Sequence, residues 1–145
     1  MNPPTALSSE RAAEINEVID RITRWARGRE DIVGLLLVGS CARDAAWPDS
    51  DIDVVLLTAE ESRHLLADAC AVGLGLGGPI RTQSWGPITE RRYATASGLE
   101  VELAIGSPTW AETDPVDAGT HRVVTDCARV LHDPAGILAG LLAAC

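Results

Sequence analysis

Asp51-Ile52-Asp53 lies at the head of an apolar run that continues through Val54-Val55-Leu56-Leu57. On a strand, alternate residues share a face, so the two carboxylates project side by side, about 7 Å apart along the backbone. Like charges so placed repel, and a cation between them removes the cost. Carboxylate oxygens suit a hard divalent ion such as magnesium. A solvated edge strand could carry the same two acids, but it would not be flanked so heavily by buried-type residues.

Upstream, Leu37-Val38 ends a branched apolar run and is followed by Gly39-Ser40. A glycine at a sharp turn lets a phosphate approach the backbone, and successive amides can cradle it. The Ser40 hydroxyl adds a donor, and Arg43 adds a planar fork that matches phosphate oxygens. Holding two metal ions well requires a further acid. Glu100 and Glu102, alternating in Gly98-Leu99-Glu100-Val101-Glu102-Leu103, are both candidates.

Hydrophobic spacing supplies the elements that must carry these groups. Ile15, Val18, Ile19, Ile22 and Trp25 form one helical stripe, predicting a helix capped by Ser9 and ending near Arg27. Ile32–Val38 reads as a central strand and Asp51–Leu57 as a second. Thr58 and Glu61 have capping-box spacing, predicting a helix to about Val72. Strands are expected over Ile80–Trp85, Ile88–Thr95 and Leu99–Ile105, with turns between them. A short helix over 117–126, a short strand at 128–131 and an apolar helix from Ala135 to Cys145 complete the chain. The expected fold is one α/β (α+β) domain over 1–145, a mixed sheet of about five strands flanked by helices, with residues 1–8 disordered.

Length and charge narrow the function. The 145 residues suit a single domain, and 46% apolar with 23% charged residues is ordinary for a globular chain. The net charge is −9 and all 12 basic residues are arginine, which excludes Schiff-base and P-loop lysine chemistry. Such acidity argues against nucleic acid as a partner and suits a cationic ligand or basic protein. No membrane-length apolar run and no secretory leader is evident, so a cytoplasmic location and free thiols at the four cysteines are expected. Gly73, Gly75 and Gly78 spell a dinucleotide-type motif, but a helix precedes it and Pro79 follows, so it reads as a mobile loop. Trp47 could stack on a base or cover the loop. Trp85 and Trp110 read as core or interface residues. Arg91 and Arg92 read first as a solvated strand face, with one of them a candidate to reach a phosphate, while His64 reads as a surface residue and His132 as structural.

Gly39-Ser40, ten intervening residues, Asp51-Ile52-Asp53 and a later Val101-Glu102-Leu103 together resemble the nucleotidyltransferase superfamily, which includes DNA polymerase beta, the antibiotic nucleotidyltransferases and the minimal nucleotidyltransferases. The form Gly-Ser-x-Ala-Arg followed by Ser-Asp-Ile-Asp is similar to the small bacterial branch. The resemblance implies a two-metal magnesium site at Asp51, Asp53 and Glu102, with Gly39, Ser40 and Arg43 on the β- and γ-phosphates. It implies transfer of a nucleoside monophosphate from a nucleoside triphosphate, ATP in the first instance, to a hydroxyl, with loss of pyrophosphate. Glu100 or Glu102 would take the acceptor proton. The acceptor would be a small molecule or a protein. Little chain follows Ile105, so a homodimer or a partner is expected to complete the acceptor site. The rival reading is the antitoxin or regulatory half of a pair with a helical HEPN-type toxin, binding or AMP-modifying it.

Overall fold

The computed structural model describes residues 8–42, 51–67 and 74–145. In chain order the elements are α1 (Ser9–Arg27), β1 (Ile32–Val38), β2 (Ile52–Thr58), α2 (Glu61–Ala67), β3 (Arg81–Trp85), β4 (Ile88–Ala94) and β5 (Glu100–Gly106). A 3-10 turn (Pro108–Ala111), α3 (Ala118–Asp126), β6 (Ala128–His132) and α4 (Ile137–Ala144) follow. The strands form one mixed sheet of six in the order β3-β4-β5-β2-β1-β6, where about five were expected. The sixth, β6, is the short strand expected at 128–131, and it joins the sheet by pairing antiparallel with β1. β2 and β5 pair in parallel, and the other neighbours are antiparallel.

Both faces of the central strands are covered, which is why β1 and β2 are apolar almost throughout. On one face, Ile15, Val18, Ile19 and Ile22 of α1 pack over Leu35, Leu37, Val54, Leu56, Val101 and Leu103. On the other, Leu138 and Leu141 of α4 and Val124 of α3 pack over Leu36, Val55 and Leu57. Gly34 permits this second approach. A Cβ there would lie 3.2 Å from Leu138 Cδ1 and 3.3 Å from Leu57 Cδ1.

Several local expectations shift. Ser8, expected to be disordered, is the cap of α1, and its hydroxyl accepts from the Arg11 amide. Thr58 stays in β2 because its hydroxyl donates to Asp31, and the helix starts at Glu61. The glycine-rich stretch is not simply a loose loop, since Leu74 is buried against the α1 core. His64 is not a surface residue. It is 1% exposed, its Nε2 lies 2.6 Å from Asp31 Oδ2, and the Trp25 ring meets it edge-on with centroids 5.7 Å apart. Burial opposes ionisation of Asp31, but hydrogen bonds from His64 and Thr58 and the nearby Arg29 outweigh it and hold its carboxyl below the ordinary value. The expected disorder of 1–7, the end of α2 toward Val72, Cys70 and Gly73 lie outside the described residues. Among the described residues, no helix is long and apolar enough to cross a membrane.

Candidate active site

The parallel pairing of β2 with β5 sets Asp53 opposite Glu102, and the antiparallel pairing of β5 with β4 sets Glu102 opposite Arg92. With Val38 on β1 and Arg81 on β3, these residues make one row across five strands. Alternation places Asp53 on the face of Val55 and Leu57, the face that α3 and α4 cover farther along. Asp51 stands at the mouth of β2, and Glu100 begins β5.

The turn after β1 is built against this row. Gly39 has φ +76°, and a Cβ on it would fall 2.9 Å from Asp53 Oδ2. Only glycine combines that conformation with that approach. The Gly39 carbonyl accepts from the Ala42 amide at 3.1 Å, closing the turn through Ser40. The Cys41 thiol donates to the Asp51 carbonyl at 3.3 Å and so ties the turn to the head of β2. Burial, followed by the Asp53 charge, pushes that thiol above its ordinary value. Arg43, with Asp44 and Trp47, lies outside the described residues.

Electrostatically the cluster is short of positive charge. Burial, a hydrogen bond to Glu102 and the Glu102 and Asp51 charges raise the Asp53 carboxyl to about 7, against a smaller opposing pull from Arg92. Arg92 Nη1 lies 2.5 Å from Asp51 Oδ2 and 3.4 Å from Glu100 Oε1, and its Nη2 lies 3.4 Å from Glu102 Oε1. Arg81 Nη2 reaches Glu102 Oε1 at 3.1 Å. Burial works against the Arg92 charge, yet the carboxylates around it raise its value further. The solvated reading of Arg92 is therefore corrected, since its side chain is 18% exposed and sits among the acids. Its role was hidden because Arg91 and Arg92 are equivalent in sequence, and only the β4–β5 register separates them.

The all-oxygen set of Asp51, Asp53 and Glu102 fits a hard divalent ion, whose charge would offset the carboxylate crowding that helps raise the Asp53 value. Among the described residues, no three such side chains are yet arranged to hold one. Arg92 lies between them.

Asp53 and Glu102 also line one side of a cleft of about 830 Å³. Its other walls include Trp110, Glu112, Val123 and Trp85. Trp85, expected in a core or interface, is 56% exposed, and its indole donates to Glu90 at 2.8 Å.

A sequence model of the nucleotidyltransferase domain matches residues 11–104, from α1 into β5. The chain belongs to this nucleotidyltransferase domain family. Its match spans the Gly39 turn and all three acids. Solved structures with the same fold include a cytoplasmic RNA terminal U-transferase, at TM-score 0.52 and 18% identity over 70% of this chain and 30% of that one. Another is the Cid1 poly(U) polymerase with magnesium and 3'-dATP, at TM-score 0.54 and 17% identity over 70% of this chain and 33% of that one. At such identities the likeness is one of fold, and this nucleotidyltransferase domain spans about a third of those chains. No curated protein matches the sequence.

Proposed function

We propose that this nucleotidyltransferase domain transfers a nucleoside monophosphate from ATP or another nucleoside triphosphate to a hydroxyl acceptor, releasing pyrophosphate. The observation supporting this is the row that sets Asp53 and Glu102 side by side, with Asp51 one strand step away and the Gly39 turn against Asp53. In this reading Asp51, Asp53 and Glu102 hold two magnesium ions, and Gly39 and Ser40 hold the β- and γ-phosphates, with Arg43 beside them. Bound magnesium would neutralise charge on the triphosphate and on the entering and leaving oxygens. Glu100, 38% exposed, is placed at the rim of the acids and takes the acceptor proton. The cleft beside Glu102 receives the acceptor, which its carboxylates favour as a cationic small molecule.

A second reading places the acceptor hydroxyl on a helical partner of HEPN type. The openness of the flank supports it, because β3 is exposed along its whole length and Ile80 is 59% exposed.

Calorimetric titration of ATP, with magnesium and then with EDTA, tests the donor site. Magnesium-dependent binding that disappears in an Asp51→Asn, Asp53→Asn double variant is expected. Binding indifferent to EDTA or to the double substitution would overturn the reading. ATP labelled at the α-phosphate, offered with a polyamine-bearing sugar, an oligoribonucleotide or a candidate partner protein, then identifies the acceptor class.

A further inference from the structure

We propose that Arg92 is the internal counter-cation of the acid cluster and that its guanidinium must leave Asp51 before a divalent ion can enter. The inference rests on the proposed function above and goes beyond it by making metal entry a displacement.

Four carboxylates, Asp51, Asp53, Glu100 and Glu102, converge where, among the described residues, two arginines, Arg92 and Arg81, form ion pairs with them. Arg92 carries most of the compensation. Its two terminal nitrogens reach three of the four acids, at 2.5 Å to Asp51 and 3.4 Å to Glu100 and Glu102. A guanidinium spread over these oxygens uses the lone pairs that an ion would need. This accounts for the acids being close together yet not arranged as a metal site.

The arginine is also built to let go. Its Nε is buried and has no hydrogen-bond partner among the described residues, so the head group is held only through its tips. Once a divalent ion neutralises the carboxylates, the attraction holding those tips is gone and like charges repel. The guanidinium then needs another anion. The triphosphate that arrives with the metal offers matching oxygens. Metal without nucleotide has no such exchange to offer and must displace Arg92 uncompensated. The domain should therefore bind free metal poorly and the metal–nucleotide pair well, which is a positive coupling between two ligands. Arg92 acts through the acids and is a positioning residue.

The test is Mn²⁺ titration into the full chain without nucleotide, read from the electron paramagnetic resonance of free Mn²⁺. Wild type, Arg92→Lys and Arg92→Gln are compared, with circular dichroism and melting to confirm folding. Arg92→Gln is expected to bind Mn²⁺ about tenfold more tightly than wild type, the size typical of coupling between sites. Arg92→Lys, which keeps the charge but reaches fewer oxygens, should fall between the two. Adding a non-hydrolysable ATP analogue should narrow the differences. A merely structural arginine would move affinity the other way, because its loss would loosen the site. Equal or weaker Mn²⁺ binding by folded Arg92→Gln overturns the proposal, and so does an unchanged affinity in Arg92→Lys should the glutamine variant not fold. Wild type that binds ATP with magnesium while the variants show no gain defeats only this inference. Absence of Mn²⁺ binding in every variant, with the ATP analogue present as well as without it, defeats the proposed function too.

Discussion

Asp53 and Glu102 face each other across the parallel pairing of β2 and β5, and burial together with the neighbouring Glu102 carboxyl pushes the Asp53 carboxyl up to about 7. That rise gives Asp53 a pH signature opposite to that of an acid held below its ordinary value.

Asp53 titrates near 7 in the folded chain and near the ordinary carboxyl value of about 3.9 when unfolded. The folded state therefore keeps the proton longer. The stability this contributes is full below about pH 4 and is lost as pH rises through about 7. In EDTA, Asp53→Asn, which mimics the protonated form, should gain stability relative to wild type between about pH 5 and pH 8. Thermal melts of the two proteins across that range check it, and a constant difference would contradict it. Magnesium added together with ATP should raise the wild-type melting temperature and leave the variant unmoved.

Gly39→Ala should weaken magnesium-dependent ATP binding while leaving the sheet intact. A left-handed φ costs an alanine about 1–2 kcal/mol, and its methyl would meet Asp53 Oδ2. Circular dichroism should be close to wild type and the melting temperature lower by several degrees. Calorimetry should show ATP binding weakened at least about tenfold, a loss of about 1.4 kcal/mol.

Asp31→Ala should destabilise the fold by about 3 kcal/mol, because it leaves the 0%-exposed His64 side chain without its carboxylate. The folded Asp31 value is depressed, so this stability is present above about pH 4 and is lost as pH falls through the lower folded value. Urea unfolding at neutral and acid pH measures both effects. ATP binding should survive, because Asp31 sits at the start of β1 and the Gly39 turn follows its end.

Leu138→Ala should cost about 2–4 kcal/mol. The side chain is fully buried on α4 against Gly34 and Leu57, and α4 lies beyond the 11–104 family match. Denaturant midpoints of this variant test whether the C-terminal helix is integral to the domain's core.

The acids were legible because strand alternation is local. Asp51 and Asp53 announce their shared face within three residues, and Gly39 announces a turn by its type. Glu102 needed the resemblance to separate it from Glu100, and the β2–β5 register now aligns it with Asp53. Arg92 was not legible, since a charged residue on an alternating strand looks solvated until its neighbours' register is known. His64 failed for a related reason. A polar residue on a short helix reads as exposed, and its burial depends on Asp31, a distant partner in sequence. Thr58 was misread because a hydroxyl at capping spacing can equally end a strand and donate to a buried acid.

The single parallel ladder also governs when the site can exist. Hairpins close early because their strands are neighbours in sequence, but β2 and β5 join only after the intervening chain, including the β3–β4 hairpin, has looped round. The two carboxyl groups therefore meet late, through one of the most sequence-distant contacts of the sheet. A ribosome-bound chain emerging residue by residue would have its glycine turn and its first two acids for some time before Glu102 could join them. Metal responsiveness should thus report closure of the β2–β5 ladder, making it a timer for that step of folding.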